Sequence, residues 1–180
     1  MCAALFVLQA CNGNRVKYNG FSFSYPDNYS LETTKAENGE QHYFLKDKED
    51  GVNFVYIEQM PGYTAMCEAS GLSNLDICMH MVMLINDLAD CYFFSEKDDV
   101  AIDEEFGFTV KTPESEDEIP CASAELRGTY DGFPFRAYFA ADLWGDNIVT
   151  TLMCAFSDDV LKEQIREIFQ TYVWEAELQS

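Results

Sequence analysis

Two histidines, seven cysteines and 32 acidic side chains are the groups in this 180-residue sequence with which chemistry could be done. His80, one helical turn after Asp76 and two residues after Cys78, has the spacing of a carboxylate-oriented base or a metal ligand. No third ligand is near in sequence, and the polar side of a helix accounts for it as a solvated surface histidine. His42 precedes a strand and has no evident partner. Two histidines give Ser-His-Asp or Cys-His catalysis little to work with. Ser70-Gly71 lacks the earlier glycine of a nucleophile elbow. Asp47-Lys48-Glu49-Asp50-Gly51 with Glu58 places its glycine one position early for an EF-hand, and no Walker or Rossmann glycine loop occurs. Two acidic runs remain: Asp98, Asp99, Asp103, Glu104 and Glu105, then Glu114, Glu116, Asp117 and Glu118. Clustered oxygens bind calcium weakly, and the plainer reading is a pair of solvated loops. No catalytic, metal or cofactor-binding residue is assigned. The residues Asp103, Glu104, Glu105, Glu114, Glu116, Asp117 and Glu118 are the candidate acidic surface for a partner.

Eleven basic side chains leave a formal net charge of −21. Nucleic-acid binding needs cations to neutralise phosphates, so that class is excluded, and charge-driven docking on an anionic membrane is disfavoured likewise. Hydrophobic residues at 48% provide one core and exclude a disordered chain. The uncharged stretch Met1 to Ala10 ends in Leu8-Gln9-Ala10-Cys11, which resembles the lipobox of bacterial lipoproteins. That resemblance implies cleavage before Cys11, a lipid on its sulfur, and a membrane contact made only through that anchor, outside the cytoplasm. The alternative is a first strand or helix, Leu5 to Leu8. Five further thiols, Cys67, Cys78, Cys91, Cys121 and Cys154, read as buried and reduced, with one disulfide from Cys67 left open.

The elements follow from period. Val16-Lys17-Tyr18, an Asn19-Gly20 turn and Phe21 to Tyr25 predict a hairpin, and Tyr29 to Thr33 a further strand. Tyr43-Phe44-Leu45 and Val52 to Ile57 predict a second hairpin. Ser73 with Asp76 forms a capping box that opens a helix to about Tyr92, with Leu75, Cys78, Met79, Val82, Ile85 and Ala89 as its buried stripe. Phe93-Phe94-Ser95, Val100 to Ile102 and Phe106 to Val110 are strand candidates. Ala122 to Tyr130, Phe133 to Ala140 and Ile148 to Cys154 predict three antiparallel strands on tight turns. Ser157 caps a closing helix with Leu161, Ile165, Ile168, Phe169 and Tyr172 inward. The class is α+β, an antiparallel β-sheet covered by two main helices.

Gly20-Phe21-Ser22-Phe23-Ser24-Tyr25-Pro26 with Tyr29, Phe44 to Val55, and Tyr130-Asp131-Gly132 through the Ser157-capped helix resemble the PsbP-like superfamily. That superfamily takes in the photosystem PsbP subunit, a Ran-binding relative and bacterial lipoproteins of the DcrB type. The resemblance implies an α/β/α sandwich and partner binding, with no shared catalytic residues. The expected organisation is a lipoprotein signal-like segment at 1–10, a tether at 11–15, one domain at 16–174 and a tail at 175–180. The expected function is a non-catalytic, membrane-anchored module that binds another, basic protein or serves as an envelope accessory factor. Its alternatives are an enzyme or small-ligand carrier using Tyr56, Tyr138 and Trp144, and extracellular calcium binding.

Overall fold

The computed structural model describes residues 14–49, 51–94, 99–102, 107–111 and 119–175. Strands β1 (Asn14–Tyr18), β2 (Phe21–Tyr25), β3 (Tyr29–Lys35), β4 (Gln41–Asp47) and β5 (Phe54–Pro61) open the chain. Helices α1 (Tyr63–Ser70) and α2 (Asn74–Ala89) follow, and α2 runs into a π-helical turn at Asp90–Phe94. Strands β6 (Val100–Ile102), β7 (Gly107–Lys111), β8 (Cys121–Tyr130), β9 (Phe133–Trp144) and β10 (Asn147–Ala155) lead to α3 (Asp158–Glu167) and the short β11 (Val173–Trp174).

Among the described residues these strands form two antiparallel sheets. The larger has the order β3-β4-β5-β10-β9-β8-β6, with β7 also paired to β8, and the smaller is β1-β2-β11. Turn chemistry sets the registers. Asn19-Gly20 and Asp131-Gly132 both hold positive φ at their two central residues, as type I′ hairpin turns require. The second of these turns sets Tyr130 opposite Phe133 and Arg127 opposite Arg136.

Strand β10 lies at the centre and is buried along its whole length. Its alternate residues serve two cores, because side chains on a strand point to opposite faces. Ile148, Leu152 and Cys154 join the first core with Leu126, Phe135 and Phe139 from the sheet and Ile77, Met81, Ile85 and Leu88 from α2. Val149, Met153 and Ala155 join the second, with Phe21 and Phe23 from the small sheet and Leu161, Ile168 and Tyr172 from the C-terminal segment. The α+β sandwich expected from the sequence is therefore the observed architecture, with the small sheet and α3 on one side and α1 and α2 on the other.

Three expectations change. Phe93 and Phe94 are not a strand; they extend α2 as the π-helical turn, while Ser95 lies outside the described residues. Helix α1 was not foreseen: Gly62 precedes it without any side-chain cap, and Gly71 closes it in the left-handed region. Helix α2 begins as predicted, with Ser73 and Asp76 in a reciprocal capping box, but it is rotated about its axis. Ile77, Cys78, Met81, Ile85, Leu88 and Ala89 are its buried residues, while Leu75 and Met79, assigned inward from the sequence, face out.

Candidate functional site

The rotation of α2 creates the first feature of interest. Its seam of Ile77, Met81, Ile85 and Leu88 suffices to bury one side, so the remaining apolar residues are left on the other. Leu75, Met79 and Met83, spaced by four residues and hence aligned along one face, are 61%, 57% and 58% exposed. Met66 and Leu72 are exposed on the neighbouring α1 and its exit. The same four-residue row continues into Asp87, also exposed, and exposed Asp76 flanks its start. Asp76 is held well below the usual carboxylate range by the Ser73 hydroxyl and then by the Ser73 backbone N–H. Asp87 sits near the negative end of the helix dipole, where a carboxylate is unfavourable, and no basic residue occupies the last turn of α2. The sequence has no Lys or Arg from Glu49 to Glu96. The stretch Asn74–Phe94 has the length to cross a membrane and contains an 18-residue window of mean hydropathy 1.3. Its buried seam against the sheet accounts for it as a core helix with surplus apolar surface.

Beside α2, strands β4 and β5 present a ledge on the same side of the sheet. His42 and Glu58 are cross-strand partners. The His42 Nδ1 atom shares a short hydrogen bond with the Tyr56 hydroxyl, and its Nε2 lies 4.0 Å from a Glu40 carboxylate oxygen. Burial raises the Glu58 carboxyl; His42 opposes that rise, and Glu40 and Asp87 add to it. Burial and then Glu58 push the Tyr56 phenol up, and burial pushes Tyr92 up to about 12. The arrangement can hold and relay a proton. The histidine expected to lack a partner is thus engaged through the β4–β5 register, which alternation within either strand does not fix.

His80 is half-buried rather than solvated. Its ring stacks on Tyr63 at 5.4 Å and 22°, and its Nδ1 shares a 2.7 Å hydrogen bond with the Tyr63 hydroxyl. Asp76, its proposed orienting carboxylate, is engaged with Ser73 instead. Tyr56, Tyr138 and Trp144, the three aromatics of the expected pocket, do not converge. Tyr56 lies on the α2 side, whereas Tyr138 and Trp144 pack with the second core, against Phe169 and Tyr172.

Cys67, Cys78, Cys91, Cys121 and Cys154 are free thiols. Of the five thiols expected to be buried, Cys67, Cys78 and Cys154 are, whereas Cys121 is half-buried and Cys91, in the π-helical turn, is exposed. Asp142, not singled out in the sequence, is raised to about 6 by burial; it faces Cys121 across the β8–β9 pair. No group of three or more His, Cys, Asp or Glu side chains among the described residues is placed to hold a metal ion. Cys11 and the acidic-surface residues Asp103, Glu104, Glu105, Glu114, Glu116, Asp117 and Glu118 lie outside the described residues.

No protein-family model matches this chain, and no curated protein matches it in sequence. Solved structures do match. The solution structure of cyanobacterial PsbP (CyanoP) from Synechocystis sp. PCC 6803 aligns with a TM-score of 0.56 at 11% identity, over 96% of each chain. A crystal structure from Bacteroides thetaiotaomicron VPI-5482 aligns with a TM-score of 0.51 at 13% identity, over 94% of this chain and 51% of that one. The chain has a PsbP-like fold, and likeness at such identity speaks of fold alone.

Proposed function

We propose that this PsbP-like module is a non-catalytic docking protein, held to a bacterial envelope membrane by acyl chains on Cys11, that binds a basic protein through the outer face of α2. The observation that carries the reading is the exposed Leu75-Met79-Met83 row ending in Asp87, in a stretch without a single cation. Methionine is unbranched and polarizable, so a row of it adapts to differing apolar partners. Carboxylates beside it select against acidic ones, and the overall charge of −21 raises the encounter rate with a basic molecule. The partner chemistry that fits is an amphipathic helix with one apolar face edged by Lys and Arg, laid along α2 by its i, i+4 anchors.

The test is fluorescence anisotropy with a labelled amphipathic Leu/Lys helix and its Leu/Glu counterpart. The basic peptide should bind saturably, more weakly as salt rises, and the acidic one should not. The double variant Met79→Glu/Met83→Glu should weaken binding by at least about tenfold. Equal binding by the double variant would remove α2 from the account. Anchoring has a separate readout: the intact mass of protein from the membrane fraction should begin at an acylated Cys11.

A further inference from the structure

Beyond the end of α2, the ledge and the π-helical turn border an open-sided cavity of about 410 Å³, within the range of roughly 300–1,000 Å³ usual for small-molecule sites. Its walls are largely aromatic. Phe54 stacks on Tyr92 with ring centroids 5.6 Å apart. Phe93 lies 5.0 Å from Phe135 at 10°, and Phe156 follows at 6.4 Å. Cys154 also lines it, and burial pushes that thiol up to about 12, so it stays neutral and inert. Lys46 is the single cation among the described lining residues. Lys46 is itself exposed, in a chain with 32 acidic side chains. Among the described residues, none is within ion-pair distance of Lys46. Leu75, Met79 and Met83 do not line this cavity, so it stands apart from the docking row.

We infer that the cavity is a binding site for a small apolar monocarboxylate, its body against the aromatic rings and its carboxylate on the Lys46 ammonium. The rings supply apolar area and edge or face contacts to a hydrocarbon or aromatic body. The ammonium supplies a charge-assisted hydrogen bond. A neutral ligand would leave the exposed Lys46 to water and gain nothing from its charge. A dianion would bring a second charge into a strongly negative field with one cation to meet it.

Calorimetric titration of the full chain with 2-naphthoate, decanoate and the uncharged 2-naphthalenemethanol tests the assignment. At least one carboxylate should bind saturably at one site, and the better of the two shows whether the body is aromatic or aliphatic. Lys46→Gln should weaken the carboxylates by about tenfold and leave the alcohol unchanged. Val52→Trp, placed at an exposed lining position, should abolish binding of all three while melting as the parent does. Absence of saturable binding by both carboxylates, or an equal loss of acid and alcohol in Lys46→Gln, overturns it. Neither result bears on the outer row of α2.

Discussion

On one side of the main sheet the two ends of the described chain meet and are fastened, whereas on the other the sheet is only partly covered and α2 turns apolar residues outward. The fastening is explicit. Strand β11 pairs with β2, setting Trp174 opposite Phe21, and the Trp174 indole lies against Gly20 and Gly145. A Cβ on Gly145 would fall 2.0 Å from the indole Cε2, and one on Gly20 would fall 2.3 Å from Cζ3. Beneath it, Gln59 Nε2 donates to Tyr18 O at 3.1 Å and to Asn147 Oδ1 at 2.8 Å. The Tyr43 hydroxyl donates to Gln59 Oε1 at 3.1 Å, and Asn147 Nδ2 donates to Trp144 O at 3.0 Å. Buried polar groups satisfied in this way join the two sheets in one arrangement. Across the sheet, by contrast, Leu75, Met79 and Met83 stay exposed among the described residues, the kind of patch that a partner can cover. One side is fastened by named contacts, and the other carries the surface on which the proposed docking rests.

The largest expected effect breaks the fastened side. Gly145→Ala adds a Cβ into the Trp174 ring at a residue whose φ is +59°, and should cost about 3 kcal/mol or more in denaturant unfolding. Peptide binding at α2, measured below the transition, should persist. Next is Asp142→Asn. The native carboxyl, raised from 3.8 to about 6 by burial, keeps a proton that the unfolded chain releases first. Stability therefore falls as pH rises through that window. The variant removes the slope, so it should be more stable at pH 7 by about 3 kcal/mol and nearly unchanged below pH 4, as melting across pH would show. Smaller still, Ser73→Ala removes the hydroxyl that accepts from the Asp76 N–H and should cost about 1 kcal/mol in chemical denaturation. The smallest change in stability belongs to the open side. Met79→Glu/Met83→Glu should alter unfolding by no more than about 0.5 kcal/mol while weakening peptide binding by at least about tenfold.

What could be read in the sequence was local. Turns such as Asn19-Gly20 and Asp131-Gly132 demand positive φ, so the hairpins they join were legible, as was the Ser73 capping box. The buried face of α2 was legible only in part, because Leu75, Met79 and Met83 repeat at helical spacing as well as Ile77, Met81 and Ile85 do. Only the sheet decides between two apolar stripes. Pairing of β11 with β2 joins residues about 150 positions apart, and a two-residue strand carries no period. His42 meeting Tyr56 and Glu58 depends on the β4–β5 register. Lys46 meeting the rings around Tyr92 depends on where the π-helical turn ends. Of the stripe read from the sequence, Cys78, Ile85 and Ala89 are buried, Leu75 and Met79 face out, and Met83 was not singled out.

The most direct trial of the docking account places a photo-crosslinking side chain at Met79 and, in a second protein, at Glu163 on α3, and irradiates native membranes. Adducts from position 79 should map by mass spectrometry to a basic amphipathic helix, with none from position 163. Equal labelling from both positions, or none from position 79, would contradict it.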